Sequence, residues 1–191
     1  MATTTLLLHP LQDWLPDGTE IRRVPDMKRT GNRPLYTTFD GAPYSHILQR
    51  DHVHGGYKSI YRLQVPTVDT CPCNRFNGNR VQRYFKMVHF GGIYLAHAVA
   101  LAWIGEQQTD EDGRPFQCHH LNGVTFDNRA SNLIWLSRAD HRRYDAIQRA
   151  LRVCGRLDSM TPHEILAETQ KQLRLLTLKE PDCGAEPDKY C

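Results

Sequence analysis

The segment Gln117-Cys-His-His-Leu-Asn-Gly-Val-Thr-Phe-Asp-Asn-Arg-Ala-Ser-Asn-Leu-Ile-Trp-Leu-Ser137 decides the fold that we predict for this chain. Two short runs, Cys118–Leu121 and Asn132–Leu136, flank a polar loop, which is typical of two antiparallel strands. Ser137 then begins a capping box with Asp140, and apolar residues recur at helical spacing up to a glycine. The segment therefore predicts a strand, a loop, a second strand and a helix.

The pairing of these two strands places one histidine beside an amide. We expect the strands to pair with His120 opposite Asn132. This register sets Cys118 opposite Ile134, so that apolar side chains share one face. The carbonyl oxygen of the Asn132 amide then accepts the Nδ1–H of His120 and leaves Nε2 free to take a proton. His120 is therefore the predicted general base, and Asn132 is the residue that orients it.

Two further histidines predict a metal site. His141 lies one turn inside the helix, and a helix that crosses the hairpin brings it toward His119 at the strand end. Two imidazoles from different elements, with water and a ligand completing the shell, form an open catalytic metal site. With an attacking water near His120, these residues predict metal-assisted hydrolysis of a phosphodiester.

The same segment resembles the HNH endonucleases, which belong to the ββα-metal type. The order His–Asn–His that names the family is present at His120, Asn132 and His141. In these enzymes a helix that begins with a histidine precedes the site. The segment His97-Ala-Val-Ala-Leu-Ala-Trp103-Ile has this position and pattern here. The family's loop, N-H-x-D-G-x-x-x-N-N-R-x-x-N-L-x-W, is matched from His119-His120-Leu-Asn122-Gly123 through Asp127-Asn128-Arg129 to Asn132-Leu133-Ile-Trp135.

The resemblance implies a divalent-metal nuclease that acts on DNA. In that enzyme His120 is the general base, and His119 and His141 are the metal ligands. Asn132 holds His120 in one tautomer, and Asn128 stabilises the loop by side-chain hydrogen bonds.

Two positions depart from the family pattern and affect the expected metal. Asn122 replaces the usual acidic residue after the base, and His119 stands where the family often has Asp or Asn. We expect one divalent ion, Mg²⁺ or Mn²⁺. Zn²⁺ and Ni²⁺ are the alternatives, because both predicted ligand atoms are nitrogens.

The remaining sequence predicts an α+β protein with three parts: a β-rich N-terminal module for DNA recognition (1–66), the nuclease domain (67–156), and a C-terminal helix and tail (157–191). The resemblance to the family is firm over about residues 81–145. It is fainter over about residues 19–65, where Arg33-Pro-Leu-Tyr36 and Gly41-Ala-Pro-Tyr-Ser45 are similar to the small N-terminal module that often accompanies HNH domains in phage-type and homing nucleases. The local patterns predict strands at 21–24, 35–39 and 57–65, a loop at 67–79, a hairpin over 80–95, a helix at 96–104 and a capped helix from Thr161-Pro162.

The charge distribution favours an anionic partner. The formal net charge is +3, with the excess of Lys and Arg in residues 1–88 and an excess of Asp and Glu in residues 157–191. Double-stranded DNA is the partner that the resemblance implies. The residues predicted to contact it are Arg129, Arg142, Arg143, Arg80, Arg83 and Lys86.

The sequence also predicts the compartment. The 6 cysteines form no C-x-x-C pair, and the N-terminus has no basic region of a secretory signal. The uncharged stretch between Lys86 and Glu106 contains glycines and histidines, so we expect no membrane span. We expect a cytoplasmic protein of a bacterium or a phage-infected cell.

Two rival functions compete with the nuclease. One is a nucleic-acid-binding module that holds a structural metal and does no chemistry. The other is a small-molecule hydrolase, for which the sequence shows no apolar pocket. Since one site cleaves one phosphodiester at a time, cutting both strands needs a second site, for example in a homodimer formed through the last helix.

Overall fold

The computed structural model describes residues 15–16, 18–25, 34–71 and 82–177, and it has the α+β composition that the sequence predicts. The elements in chain order are β1 (Ile21–Arg23), β2 (Leu35–Thr38), β3 (Pro43–Arg50), β4 (Tyr57–Leu63), β5 (Thr67–Cys71), β6 (Gln82–Met87), β7 (Ile93–Tyr94), α1 (Leu95–Trp103), β8 (Gln117–His120), β9 (Leu133–Leu136), α2 (Arg138–Val153) and α3 (Pro162–Thr177). Short 3₁₀ turns lie at Val88–Phe90, Ala130–Asn132 and Leu157–Ser159.

The described strands form three antiparallel sheets, in the orders β1-β2-β3-β4, β5-β6-β7 and β8-β9. Two strands differ from the sequence prediction. The sequence does not predict most of β3. Its last three residues, Leu48–Arg50, are all exposed, so buried and exposed side chains do not alternate there. The loop predicted at 67–79 is wrong for Thr67–Cys71, which pairs with β6; residues 72–79 lie outside the described residues.

Helix α1 lies at the centre of the largest core. Its small residues Ala98 and Val99 are fully buried and pack with Leu35 of β2 and Leu133 of β9. At its end, Trp103 donates its indole N–H to the Thr37 carbonyl at 3.2 Å. The first sheet and the β8–β9 hairpin are thereby both fixed to one helix.

The two capped helices begin where the sequence predicts. Ser137 Oγ accepts the Asp140 N–H at 3.1 Å, and Thr161 Oγ1 accepts the Glu164 N–H at 3.3 Å. The apolar face of α3 packs within the chain: Ile165 contacts the core around Leu151 and Leu157, and Leu166 and Leu173 contact Leu121, Leu136 and Tyr144. This packing holds α2 and α3 against the ends of β8 and β9.

None of the described helices has the length and apolar character that a membrane crossing requires. The uncharged stretch between Lys86 and Glu106 is divided among the end of β6, a 3₁₀ turn, β7 and α1. Cys118 and Cys154 are unpaired. Burial raises the pKa of the Cys118 thiol to about 12, so this thiol is protonated and donates to the Ala96 carbonyl at 3.6 Å.

Candidate metal centre and catalytic site

Two imidazoles from different elements meet at the end of the β8–β9 hairpin. His119 lies in β8, and His141 lies in the first turns of α2. The distance from His119 Nδ1 to His141 Nε2 is 3.2 Å, and the rings lie edge to face with centroids 4.6 Å apart. His119 is buried and His141 is partly exposed, so the pair lies between the core and solvent.

A carboxylate completes this cluster. Asp145 follows His141 by one helical turn, and its Oδ2 lies 3.2 Å from His141 Nδ1. Its Oδ1 lies 3.8 Å from His119 Nδ1. Our sequence analysis did not include Asp145, although the spacing i, i+4 after a predicted ligand on a helix is a signal that could have identified it.

The three side chains fit a divalent ion. One ligand atom from each of His119, His141 and Asp145 lies within 4.8 Å of the others. When two nitrogens bind one ion at about 2.1 Å each, and the nitrogen–metal–nitrogen angle lies between the octahedral and the tetrahedral value, the nitrogens are about 3.0–3.4 Å apart. The observed distance between His119 Nδ1 and His141 Nε2 is 3.2 Å. The carboxylate would add an oxygen ligand. A set of two nitrogens and one oxygen suits Mg²⁺ and Mn²⁺ better than two nitrogens alone.

The electrostatics of the cluster favour the protonation states in which these side chains could bind an ion. Burial, together with the neighbouring His141, lowers the pKa of His119 to about 4, although Asp145 opposes the shift. Burial acts to raise the pKa of the Asp145 carboxyl, but the hydrogen bond from His141 and the nearby His119 and Arg149 lower it on balance. A neutral imidazole and an ionised carboxylate are the forms that bind metals.

The predicted base, His120, follows His119 in β8, is buried, and is held by an amide. Its Nε2 lies 3.1 Å from Oδ1 of Asn128. The other end of that amide donates to the Phe126 carbonyl at 3.4 Å, so Oδ1 faces the ring and accepts a hydrogen bond from Nε2–H. Burial lowers the pKa of His120, although Asn128 and Asp127 oppose this. A neutral His120 therefore carries its proton on Nε2 and its lone pair on Nδ1.

The predicted strand register is wrong by one residue. His120 pairs with Leu133 and Cys118 pairs with Trp135, in place of the predicted partners Asn132 and Ile134. The cause is the 3₁₀ turn Ala130–Asn132, which ends the loop one residue later than expected. Since side chains alternate along a strand, a slip of one residue exchanges the two faces of β9.

The two asparagines consequently have exchanged partners. Asn132 is fully buried, and its Oδ1 accepts the Asn122 N–H at 3.0 Å. Its Nδ2 donates to Asn122 Oδ1 at 2.9 Å and to the Asp127 carbonyl at 2.8 Å. Asn132 therefore stabilises the loop, which is the role predicted for Asn128. Asn128 holds His120, which is the role predicted for Asn132. The predicted free atom, Nε2, is the one that is bonded.

The loop that carries Asn128 rests on two other parts of the fold. Thr125 Oγ1 donates to the Arg83 carbonyl of β6 at 2.6 Å, and the Ala130 N–H donates to the Phe39 carbonyl after β2 at 2.8 Å. Gly41 approaches so closely that a Cβ there would lie 2.6 Å from the Asn128 carbonyl oxygen. The first sheet therefore supports the residue that orients His120.

Several predicted DNA contacts already have a carboxylate partner. The distances are 2.8 Å from Lys86 to Asp69, 2.7 Å from Arg129 to Asp127 and 3.3 Å from Arg143 to Asp140. Arg83 and Arg142 are exposed on β6 and α2. Arg80 lies outside the described residues. Contact of these side chains with DNA stays a prediction.

Comparisons with protein-family models, with curated proteins and with solved structures found no match to this chain.

Proposed function

We propose that this protein is a metal-dependent endonuclease that hydrolyses phosphodiester bonds of DNA. We further propose that β8, β9 and α2 form a ββα-metal core of the HNH type. One observation carries the proposal: His119, His141 and Asp145 cluster with metal-ligand spacing, and the residue after His119 in β8 is His120, a buried imidazole held in one tautomer by Asn128. Metal ligands next to an oriented base are the parts that hydrolysis requires.

The cluster would hold one divalent ion. His119, His141 and Asp145 supply two ring nitrogens and one carboxylate. When bound, the ion would act as a Lewis acid on a phosphate oxygen and stabilise the negative charge that develops during hydrolysis. The partly exposed His141 and Asp145 leave one side of the cluster open to substrate.

His120 would act as the general base. The hydrogen bond from Nε2 to Asn128 leaves Nδ1 as the atom that accepts a proton from the attacking water. As the base takes that proton, Asn128 Oδ1 stabilises the positive charge on the ring through the same bond. Because burial lowers the pKa of His120, the base is unprotonated at neutral pH.

Exposed arginines would position the DNA backbone. Arg142 follows His141 on α2. Arg83 lies on β6, and its own carbonyl accepts the hydrogen bond from the Thr125 hydroxyl of the loop. Phosphate contacts of this kind fix the position of DNA and carry no sequence information. Arg143 pairs with Asp140 at an exposed position, where an ion pair stabilises little and can be exchanged for phosphate. Arg129 is held by two hydrogen bonds to the mostly buried Asp127, so it would meet DNA from a fixed position in the loop.

Cleavage of supercoiled plasmid DNA tests the proposal. The wild-type protein is incubated with Mg²⁺, Mn²⁺, Ni²⁺ or Zn²⁺, beside His120→Ala and a matched control, His89→Ala, which changes an exposed histidine of the 3₁₀ turn at residues 88–90. We expect metal-dependent nicking by the wild type and the control, and a loss of at least about 100-fold in His120→Ala, since a general base contributes about 10²–10⁴-fold.

The outcomes separate the rival functions. If supercoiled DNA survives the wild type with every metal while the protein still binds DNA, the protein is a binding module with a structural metal. Equal cleavage by wild type and His120→Ala would remove His120 from the mechanism. Run-off mapping of both strands then distinguishes a nick from a double-strand break, and a break would require a second site, for example in a homodimer.

A further inference from the structure

A stripe of arginines runs along one side of helix α2. One residue at each successive turn of this side gives Arg138, Arg142, Asp145, Arg149 and Arg152. The spacings alternate between four and three residues, which matches the 3.6 residues of a helical turn, so these side chains leave the helix in nearly the same direction. Asp145, the carboxylate of the candidate metal centre, is therefore in the middle, with two arginines on either side.

The four members of this arginine stripe are exposed and have no carboxylate partner. Among the described residues, none of them forms an ion pair, whereas Arg143, on another side of α2, pairs with Asp140. The other acidic side chain of the helix is thus directed away from the stripe. The guanidinium groups of the stripe are therefore available to an anion from outside the chain.

The stripe does not stabilise the helix that carries it. Arg138 and Arg142 are like charges about one turn apart, as are Arg149 and Arg152, and like charges at this spacing destabilise a helix. Arg138 also lies in the first turn, where the helix dipole disfavours a cation. Neither helix stability nor core packing explains this arrangement. A polyanion bound along the stripe would neutralise the repulsion.

The stripe passes the candidate metal centre and reaches the loop after the proposed base. Asp145, between its two halves, lies 3.2 Å from His141. At the far end, Nη2 of Arg152 lies 2.6 Å from the position that a Cβ would occupy on Gly123. The Gly123 N–H donates to the His120 carbonyl at 3.0 Å, so Arg152 lies over the turn that follows His120.

The length and charge of the stripe fit the phosphate backbone of double-stranded DNA. Residues 138 to 152 extend over about 21 Å at a rise of 1.5 Å per residue. Since each strand of DNA has one phosphate for every ~3.4 Å of the helix axis, several phosphates can meet the stripe at once. An anionic membrane does not fit, because the apolar side of α2, with Tyr144 and Leu151, is buried within the protein and cannot enter a bilayer.

We propose that the DNA backbone lies along the arginine stripe, with Arg138 and Arg142 binding phosphates on one side of the metal centre and Arg149 and Arg152 binding phosphates on the other side. The proposal rests on the proposed function, and it adds three arginines to the contact predicted for Arg142. Phosphate contacts fix the position of DNA on a protein. Contacts on both sides would determine which phosphodiester reaches the metal centre.

The test measures binding of a fluorescently labelled DNA duplex to the full chain by anisotropy, over a range of salt concentrations. A chelator is present, so neither a metal ion nor cleavage contributes. Vesicles of phosphatidylserine and phosphatidylcholine are the second ligand. Thermal unfolding shows whether each variant is folded at the assay temperature. The variants of the stripe are Arg138→Gln, Arg142→Gln, Arg149→Gln, Arg152→Gln and Arg149→Lys.

Arg114→Gln is the matched control, because it removes the same charge from an exposed position. Arg114 lies in the loop before β8, and His120 is at the opposite end of that strand. We expect each glutamine variant of the stripe to reduce the slope of log K against log salt concentration by about 0.9, the value for one phosphate contact. Affinity at constant salt should fall about tenfold, as for the loss of one hydrogen bond to a charged group. Arg149→Lys and the control should keep the wild-type slope.

Three results would overturn the proposal. The first is an unchanged slope in the glutamine variants, or a change confined to one half of the stripe, since DNA would then not lie along it. The second is an equal loss of slope in Arg149→Lys and Arg149→Gln, which would show that the effect does not come from charge. The third is tighter binding to the vesicles than to the duplex. If the slopes change as expected while no metal supports plasmid cleavage, the arginine stripe stands and the proposed hydrolysis fails.

Discussion

His120 and Asn128 are joined by a hydrogen bond of 3.1 Å between Nε2 and Oδ1, in a part of the fold where both side chains are buried. The bond spans a loop that begins at the strand end carrying His120 and closes back over it. The orientation of the His120 ring, the proposed base, is therefore a property of the loop and of the elements that support it. The same dependence makes the role of each loop residue separately testable.

We expect Asn128→Ala to lower the DNA-cleavage rate by about 10–100-fold, with little change in metal affinity. The imidazole loses the acceptor that holds Nε2–H, so less of the protein has its lone pair on Nδ1, and the charge that forms on the ring is no longer stabilised. Single-turnover cleavage and calorimetric titration with Mn²⁺ measure the two quantities. Asn128→Asp, which keeps the acceptor, serves as the control and should retain more activity than Asn128→Ala.

Asn132→Ala should have the opposite profile. The substitution leaves the Asn122 N–H and the Asp127 carbonyl without their side-chain partner at a fully buried position, at a cost of about 2–4 kcal/mol of unfolding free energy. Urea unfolding measures this loss. Cleavage per folded molecule, assayed well below the unfolding midpoint, should stay near the wild-type value. A large loss of cleavage at full folding would restore the direct role that the sequence assigned to Asn132.

The comparison of these two asparagines shows how far the sequence determines this site. The hairpin, the helix that follows it and the meeting of His119 with His141 are predictable, because residue spacing in regular elements fixes which ends lie together. The register of β8 and β9 is not, since it depends on whether the loop closes with a 3₁₀ turn at residues 130–132. That turn is stabilised by tertiary contacts that no local pattern reveals.

Burial limits the prediction in a second way. Asp145 could be found from its spacing after His141, but the burial of Gln148 on the same helix could not be predicted, because an isolated glutamine on a helix is usually a solvated residue. Its amide Nε2 lies within hydrogen-bond distance of the carbonyls of His120 and Leu121, which follows from the packing of the hairpin against α2. Likewise, the long strand β3 is predictable only once β4 is placed beside it.

Asp145→Ala should weaken the binding of Mn²⁺ by more than about tenfold, because it removes the oxygen ligand and also the acceptor that orients His141. Asp145→Asn keeps an oxygen without the charge and should lie between the wild type and Asp145→Ala. Asp158→Ala is the control, since Asp158 is an exposed carboxylate in the turn between α2 and α3. Calorimetry without DNA makes the measurement, and equal affinities for Asp145→Ala and the control would exclude a carboxylate ligand.

Stability should depend on pH through His119. Its pKa is about 4 when folded and about 6.5 when unfolded, so below pH 6.5 the unfolded state binds more protons than the folded state. Stability of the metal-free protein is therefore lost as pH falls from about 6.5 toward 4. Urea unfolding in the presence of a chelator should show this loss in the wild type and a smaller loss in His119→Gln. Parallel profiles for the two proteins would show that the pKa of His119 is not lowered by folding.

Gly41→Ala should disturb the base from outside the hairpin. Gly41 has a φ of +85°, and a Cβ there would lie 2.6 Å from the carbonyl oxygen of Asn128. Gly55→Ala is a matched control, because its φ is +75° and a Cβ there meets nothing within 4 Å. Backbone strain alone costs about 1–2 kcal/mol, so the control should lose that amount of stability and keep its activity.

The further cost in Gly41→Ala comes from the overlap with Asn128, about 1–3 kcal/mol for a group forced into filled space. Because the overlap can be relieved only by moving the Asn128 backbone, we also expect cleavage to fall as it does in Asn128→Ala. Unfolding and single-turnover cleavage of the two glycine variants make the comparison. If both lose the same stability and both keep activity, the first sheet does not position Asn128.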